Sequence, residues 1–157
     1  MKISLGDLRR LIRENIGVVP QWEPDDPRWE ELFYSELKKF TGGGDLQVTH
    51  ESPLDNKESI EKTGLDTDRL YFTIGWYDSP RFVSGPTVMY QCIIPGLYLD
   101  NESVFPDDRF GMGPEGCYNF ITEEPVGGFE GKEISVSLTS SGFSKFPKNW
   151  IKEIIEV

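Results

Sequence analysis

Helical spacing is confined to the front of this 157-residue chain, and strand-like patterning fills the back. That order restricts the fold more than any other feature. In residues 2–16, Leu5, Leu8, Ile12 and Ile16 recur at helical intervals, with Arg9, Arg10 and Arg13 around the remaining surface. A second helix is predicted through RWEELFYSELKKF, with Asp26 as N-cap and Pro27 at the first helical position. Trp29, Phe33, Leu37 and Phe40 form its apolar stripe, and the run Gly42-Gly43-Gly44 ends it. After the short strand LQVTH, a third helix is expected. Asp55 and Glu58 make its capping box, Ile60 faces inward and Gly64 is its left-handed stop.

From there the pattern changes to RLYFTI, TVMYQCII, YNFIT, KEISVSLT and WIKEIIEV, all read as strands, with GLYLD as a short strand or extended segment. Residues 100–116 form a long polar loop of the kind that often serves a site. Regular alternation of strand and helix is missing. An α+β fold with an antiparallel or mixed sheet therefore follows, rather than a doubly wound one. Sixteen Gly and eleven Pro imply many short elements. Residues 1–19 are read as an amphipathic helix and linker, and 20–157 as a single domain.

The net charge of −11 and the lack of a basic cluster disfavour a nucleic-acid partner. A protein or small molecule is the expected partner, and no membrane contact is expected. Cys92 and Cys117 lie in no CxxC and beside no histidine cluster, so no metal site is expected. They are read as buried small hydrophobes of a reducing compartment, or as a disulfide. No apolar run reaches the ~20 residues of a membrane span, and no signal-peptide core opens the chain. A cytoplasmic protein is expected.

The one histidine, His50, sits in THESPLDNKESIEKTGL, residues 49–65, between a strand and a helix. Alone it reads as structural. Its neighbours suggest more, because His50, Ser52, Asn56, Ile60 and Gly64-Leu65 form one ordered set. Further on, LYFTIGWYDSPRF carries Tyr71-Phe72, Ser79 and Phe82, and KEISVSLT begins with Glu133.

These three blocks, within residues 46–157, resemble the donor site of the poly(ADP-ribose) polymerase and diphtheria-toxin-like ADP-ribosyltransferases. The resemblance implies split antiparallel or mixed sheets forming a cleft, with helices N-terminal to them. It implies NAD as substrate and transfer of ADP-ribose, one unit at a time, to an acceptor with release of nicotinamide. It maps a His-Tyr-Glu catalytic set onto His50, Tyr71 and Glu133. His50, Glu51, Ser52, Tyr71, Ser79 and Phe82 would bind the dinucleotide. Glu130 and the pair Glu123-Glu124 remain open as alternatives to Glu133. Glu51 stands where the family has glycine, and Phe82 where it usually has tyrosine. The link from Leu65 to Leu70 is too short for the donor loop of larger members. A non-catalytic binder of NAD or ADP-ribose keeps the same fold. A structural or interaction protein is the other alternative, since the basic first helix resembles the starts of small tailed-phage proteins.

Overall fold

The computed structural model describes residues 19–66 and 70–157. The helix expected over 2–16 lies outside the described residues. Within them, the elements run α1 (Arg28–Thr41), β1 (Leu46–Pro53), α2 (Lys57–Thr63), β2 (Leu65–Asp66), β3 (Leu70–Ile74), β4 (Thr87–Ile94), β5 (Val104–Pro106), α3 (Gly113–Thr122), β6 (Glu133–Val136), β7 (Lys145–Phe146) and β8 (Ile151–Glu156). Short 3₁₀ turns join several of them.

Six strands form one sheet in the order β5-β6-β3-β1-β4-β8, and β2 pairs with β7. Every pairing is antiparallel, which resolves the antiparallel-or-mixed expectation. The sheet is unevenly sewn. β1 and β4 share eight register pairs, from Leu46↔Ile94 to Pro53↔Thr87. β1 and β3 share two, Val48↔Ile74 and Thr49↔Thr73. Beyond Thr49 and Thr73 the strands part, so two three-stranded halves meet at a short seam with a fork below it.

Side chains alternate across a strand, and here the two faces differ in chemistry. One face carries Val48, Phe72, Ile74, Val88, Ile134 and Val136, all buried. It shares a core with Trp29, Phe33 and Leu37 of α1 and with Cys117, Phe120 and Ile121 of α3. Phe33 meets Phe120 edge-on at 5.1 Å, and Phe110 meets Phe120 at 5.1 Å. The other face carries Thr49, Glu51, Tyr71, Thr73, Glu133 and Ser135. An antiparallel sheet with one wet face permits this.

Helix α1 ends at Gly42 in the left-handed conformation (φ 62°). Its start matches the reading in chemistry but not in numbering. The Asp26 carboxylate accepts from the Arg28 N–H at 2.9 Å, and the helix begins one residue later than expected. Phe40 departs from the buried stripe; it is partly exposed and stacks on Phe129 at 5.5 Å.

The capping box is corrected. Asp55 lies inside the 3₁₀ turn Leu54–Asn56, and α2 has no side-chain cap. Gly64 does stop the helix with positive φ (84°), but in an extended rather than left-handed helical conformation. GLYLD holds a 3₁₀ turn, Gly96–Tyr98, rather than a strand. The loop 100–116 is not structureless, since β5 within it pairs with β6.

YNFIT is helical, not a strand. Pro114 at the helix start and the spacing Cys117, Phe120, Ile121 give α3 a buried stripe. Gly116 is required there, because a Cβ would run into the Gly111 carbonyl. Both cysteines are buried and free, which settles the disulfide alternative. Among the described residues, no helix is long and apolar enough to cross a membrane, and no group of side chains could hold a metal.

Candidate functional site

The fork between β1 and β3 opens a cleft of about 480 Å³. Its lining includes His50, Glu51, Tyr71, Phe82, Arg109 and Glu133. Of the residues singled out in the sequence, the structure therefore brings His50, Glu51, Tyr71, Phe82 and Glu133 to one place. Ser52 and Ser79 are not on its wall. Ser52 is buried and its hydroxyl accepts from the Asn56 amide at 3.4 Å, tying the end of β1 to the following turn. Ser79 is exposed and its hydroxyl donates to Asp78 at 3.5 Å.

His50 stands at the fork itself. Alternation places it on the Val48 face, and its ring packs on Phe72 (5.7 Å) and Tyr90 (6.3 Å). Where the ladder between β1 and β3 stops, its Nδ1 takes over, 2.8 Å from the Tyr71 carbonyl. A carbonyl only accepts, so Nδ1 carries the proton and Nε2 is left as an acceptor. Burial lowers the histidine pKa below its ordinary 6.5. The bond to Tyr71 and the Glu51 charge oppose this without reversing it. The ring is thus neutral near pH 7.

Tyr71 and Glu133 come from the polar face of adjacent strands. β3 and β6 pair Tyr71 with Ser135 and Thr73 with Glu133, which puts the Tyr71 and Glu133 side chains on a diagonal. The Tyr71 hydroxyl donates to Asp108 at 3.4 Å. Phe82 is largely exposed at the opposite rim.

Glu51 has a defined task. Its Oε1 accepts from the backbone N–H of Arg81 (2.6 Å) and of Phe82 (3.2 Å). The carboxylate thus anchors the loop that carries Phe82, and backbone dipoles partly offset its charge.

Glu133 is held from the other side. Arg109 donates through Nε to Oε2 at 2.9 Å and also through Nη2 to the same oxygen. The same guanidinium grips Glu123 with both forks, at 2.7 and 2.9 Å, and lies 3.9 Å above the Phe110 ring. The Glu123 bonds first, then Glu133, raise the arginine pKa further above its ordinary range. In turn, Arg109 lowers that of Glu123. One residue before Glu133, the buried Lys132 ammonium donates to the carbonyls of Phe120 (2.7 Å), Glu123 (2.8 Å) and Pro125 (2.9 Å). Burial pulls its pKa down to about 8. Lys132 therefore satisfies the carbonyl end of α3 and fastens it to the start of β6.

Arg109, Asp107 and Asp108 were not singled out as site residues. Their signal was the polar loop 100–116, whose DDR run is the part that reaches the cleft. Glu123, considered as an alternative to Glu133, turns out to be its neighbour through Arg109. Glu130 instead accepts from the Tyr77 hydroxyl at 3.1 Å, away from the cleft lining.

Chemically, the cleft offers a neutral imidazole acceptor, two aromatic walls and a carboxylate of fixed orientation. Comparison with protein-family models, with curated proteins and with solved structures finds no match to this chain.

Proposed function

We propose that the chain is an NAD-dependent mono-ADP-ribosyltransferase acting on a protein or small-molecule acceptor. The observation that supports this most is the convergence of His50, Tyr71, Phe82 and Glu133 on one cleft at the parting of β1 and β3. Its size falls within the ~300–1,000 Å³ usual for small-ligand sites. The donor set also suits a dinucleotide. His50 Nε2 accepts from a ribose hydroxyl, and Tyr71 and Phe82 flank a planar ring.

In NAD the carbon–nitrogen bond joins ribose to a cationic pyridinium ring, so its cleavage releases neutral nicotinamide and leaves positive charge on the ribose. In this reading the Glu133 carboxylate offsets that charge, and a fixed carboxylate costs no reorganisation. Both Arg109 contacts fall on Oε2, so this reading assigns Oε1 to the ribose hydroxyl. Oε1 would also take the acceptor's proton as the acceptor bonds to the sugar. Glu123 balances the Arg109 charge that would otherwise weaken Glu133.

The direct test is nicotinamide release from NAD in the presence of a cell extract. Glu133→Gln should lower it by about a hundredfold or more, the scale of one lost charge-stabilising group. Release unchanged in Glu133→Gln, or none from the unaltered chain, rules the reading out.

A second reading keeps the ligand and drops the transfer. It is favoured by the Arg109 grip on Glu133 and by the carboxylates of Glu51, Asp107 and Asp108 along the cleft. It expects thermal stabilisation by NAD without turnover across many acceptors.

A further inference from the structure

A second pocket, of about 270 Å³, opens beside the cleft at the β5 edge of the sheet, where Phe105 and Ser135 meet Tyr34 of α1 and Cys117 of α3. Asp108 lines both. Register sets how far apart they are. Tyr71 on β3 pairs with Ser135 on β6, and Ser135 pairs with Phe105 on β5. Tyr71 lines the cleft and Phe105 lines the second pocket, so two strand spacings of about 4.8 Å separate them, close to 10 Å. One extended residue of a bound chain plus its side chain covers that span.

The pocket's lining has a definite character. Phe105 and Met112 are both exposed apolar side chains on its wall, and Met112 is 72% exposed. Glu30 and Asp108 supply carboxylates, and among the described residues none that lines it is basic. Glu30 comes from α1, Phe105 and Asp108 from β5 and the turn after it, and Met112 from just before α3. Apolar walls with carboxylates at the rim suit a long aliphatic stem ending in a cation. The net charge of −11 draws such a partner in from a distance.

We infer that this pocket is an acceptor subsite that seats a lysine or arginine side chain of a basic peptide segment, presenting a neighbouring residue to the cleft. The inference rests on the transferase reading for the chemistry next door. The docking itself does not depend on it.

The test is fluorescence anisotropy of the full chain with a dye-labelled peptide of alternating lysine and leucine. A second peptide carries glutamate for lysine. The lysine peptide should bind and the glutamate peptide should not. Glu30→Lys should weaken binding about tenfold, and Met112→Ser severalfold, as for lost partners at a contact site. Glu58→Lys makes the same charge change on exposed α2, outside both pockets, and should leave binding within about twofold. Equal weakening by Glu30→Lys and Glu58→Lys would mean long-range attraction alone and overturns the inference. So does binding of the glutamate peptide, or self-association that blocks the face. Nicotinamide release by the unaltered chain is scored separately. Its absence sinks the cleft reading, whereas the peptide titration alone decides the pocket.

Discussion

The two walls of the cleft hold a carboxylate in opposite ways. On the β1 wall, Glu51 is fixed by two backbone N–H groups of the 81–82 loop. On the β6 wall, Glu133 is fixed by an arginine that also binds Glu123, while Lys132 anchors the strand from behind. Backbone donors belong to the fold and are short-range. A partly exposed ion-pair chain depends on salt and on every member being charged. Glu51 is therefore a structural clamp, and Glu133 is a group whose setting the surroundings can adjust.

The largest effect expected on that contrast is at Lys132. Lys132→Met removes the donor to three carbonyls at the end of α3, leaving buried acceptors without partners. Such orphaning costs about 1–3 kcal/mol, and the upper end is expected with three involved. Urea unfolding should show a lower midpoint with an unchanged slope. A loss below about 1 kcal/mol would mean that water replaces the ammonium easily.

Next is Arg109→Met. It breaks the strap on Glu133 but touches no backbone, and its partners are partly exposed. A loss of about 1 kcal/mol is expected at low salt. Raising the salt should shrink the difference between variant and parent, since the parent's ion pairs are screened. Glu51→Ala should cost a similar or smaller amount that salt does not change. Its mark is local: hydrogen exchange at the amides of Arg81 and Phe82 should speed up, while β4 stays protected. A salt-dependent Glu51→Ala loss would erase the distinction between the walls.

The smallest effect is in pH. His50 has a lowered pKa in the fold, so between that value and 6.5 the unfolded chain binds a proton that the folded chain does not. Stability therefore rises with pH through that window and falls on acidification. Glu123, also lowered, adds loss in the same direction at more acid pH. His50→Gln should remove the upper part of the slope and leave the lower part. An unchanged slope above the carboxylate range would show that His50 is free to titrate.

The residues at the seam explain what could be read in advance. The strands β1, β3, β4 and β6 stood out because one buried face imposes alternation or a continuous apolar run. The stripe Trp29, Phe33, Leu37 stood out for the same reason in α1. Helix α3 did not, because Tyr118-Asn119-Phe120-Ile121-Thr122 is β-prone locally. Packing of Cys117, Phe120 and Ile121 on α1 and the sheet overrides that preference. The capping box at Asp55 failed because the Leu54–Asn56 turn uses those residues before the helix begins.

For the site, the resemblance to ADP-ribosyltransferases marked His50, Tyr71, Phe82 and Glu133; their spacing alone left each of them open to a structural role. The sequence by itself thus determined α1 and the strands β1, β3, β4 and β6 with their buried faces. Only the tertiary structure decided that β1 and β3 pair for two residues and then part. Only it decided that a loop from residues 107–109 brings Arg109 onto Glu133, and that Glu51 turns to the 81–82 backbone. These are contacts between segments distant in the chain. Their geometry depends on how the whole core packs, which no local pattern of residues encodes.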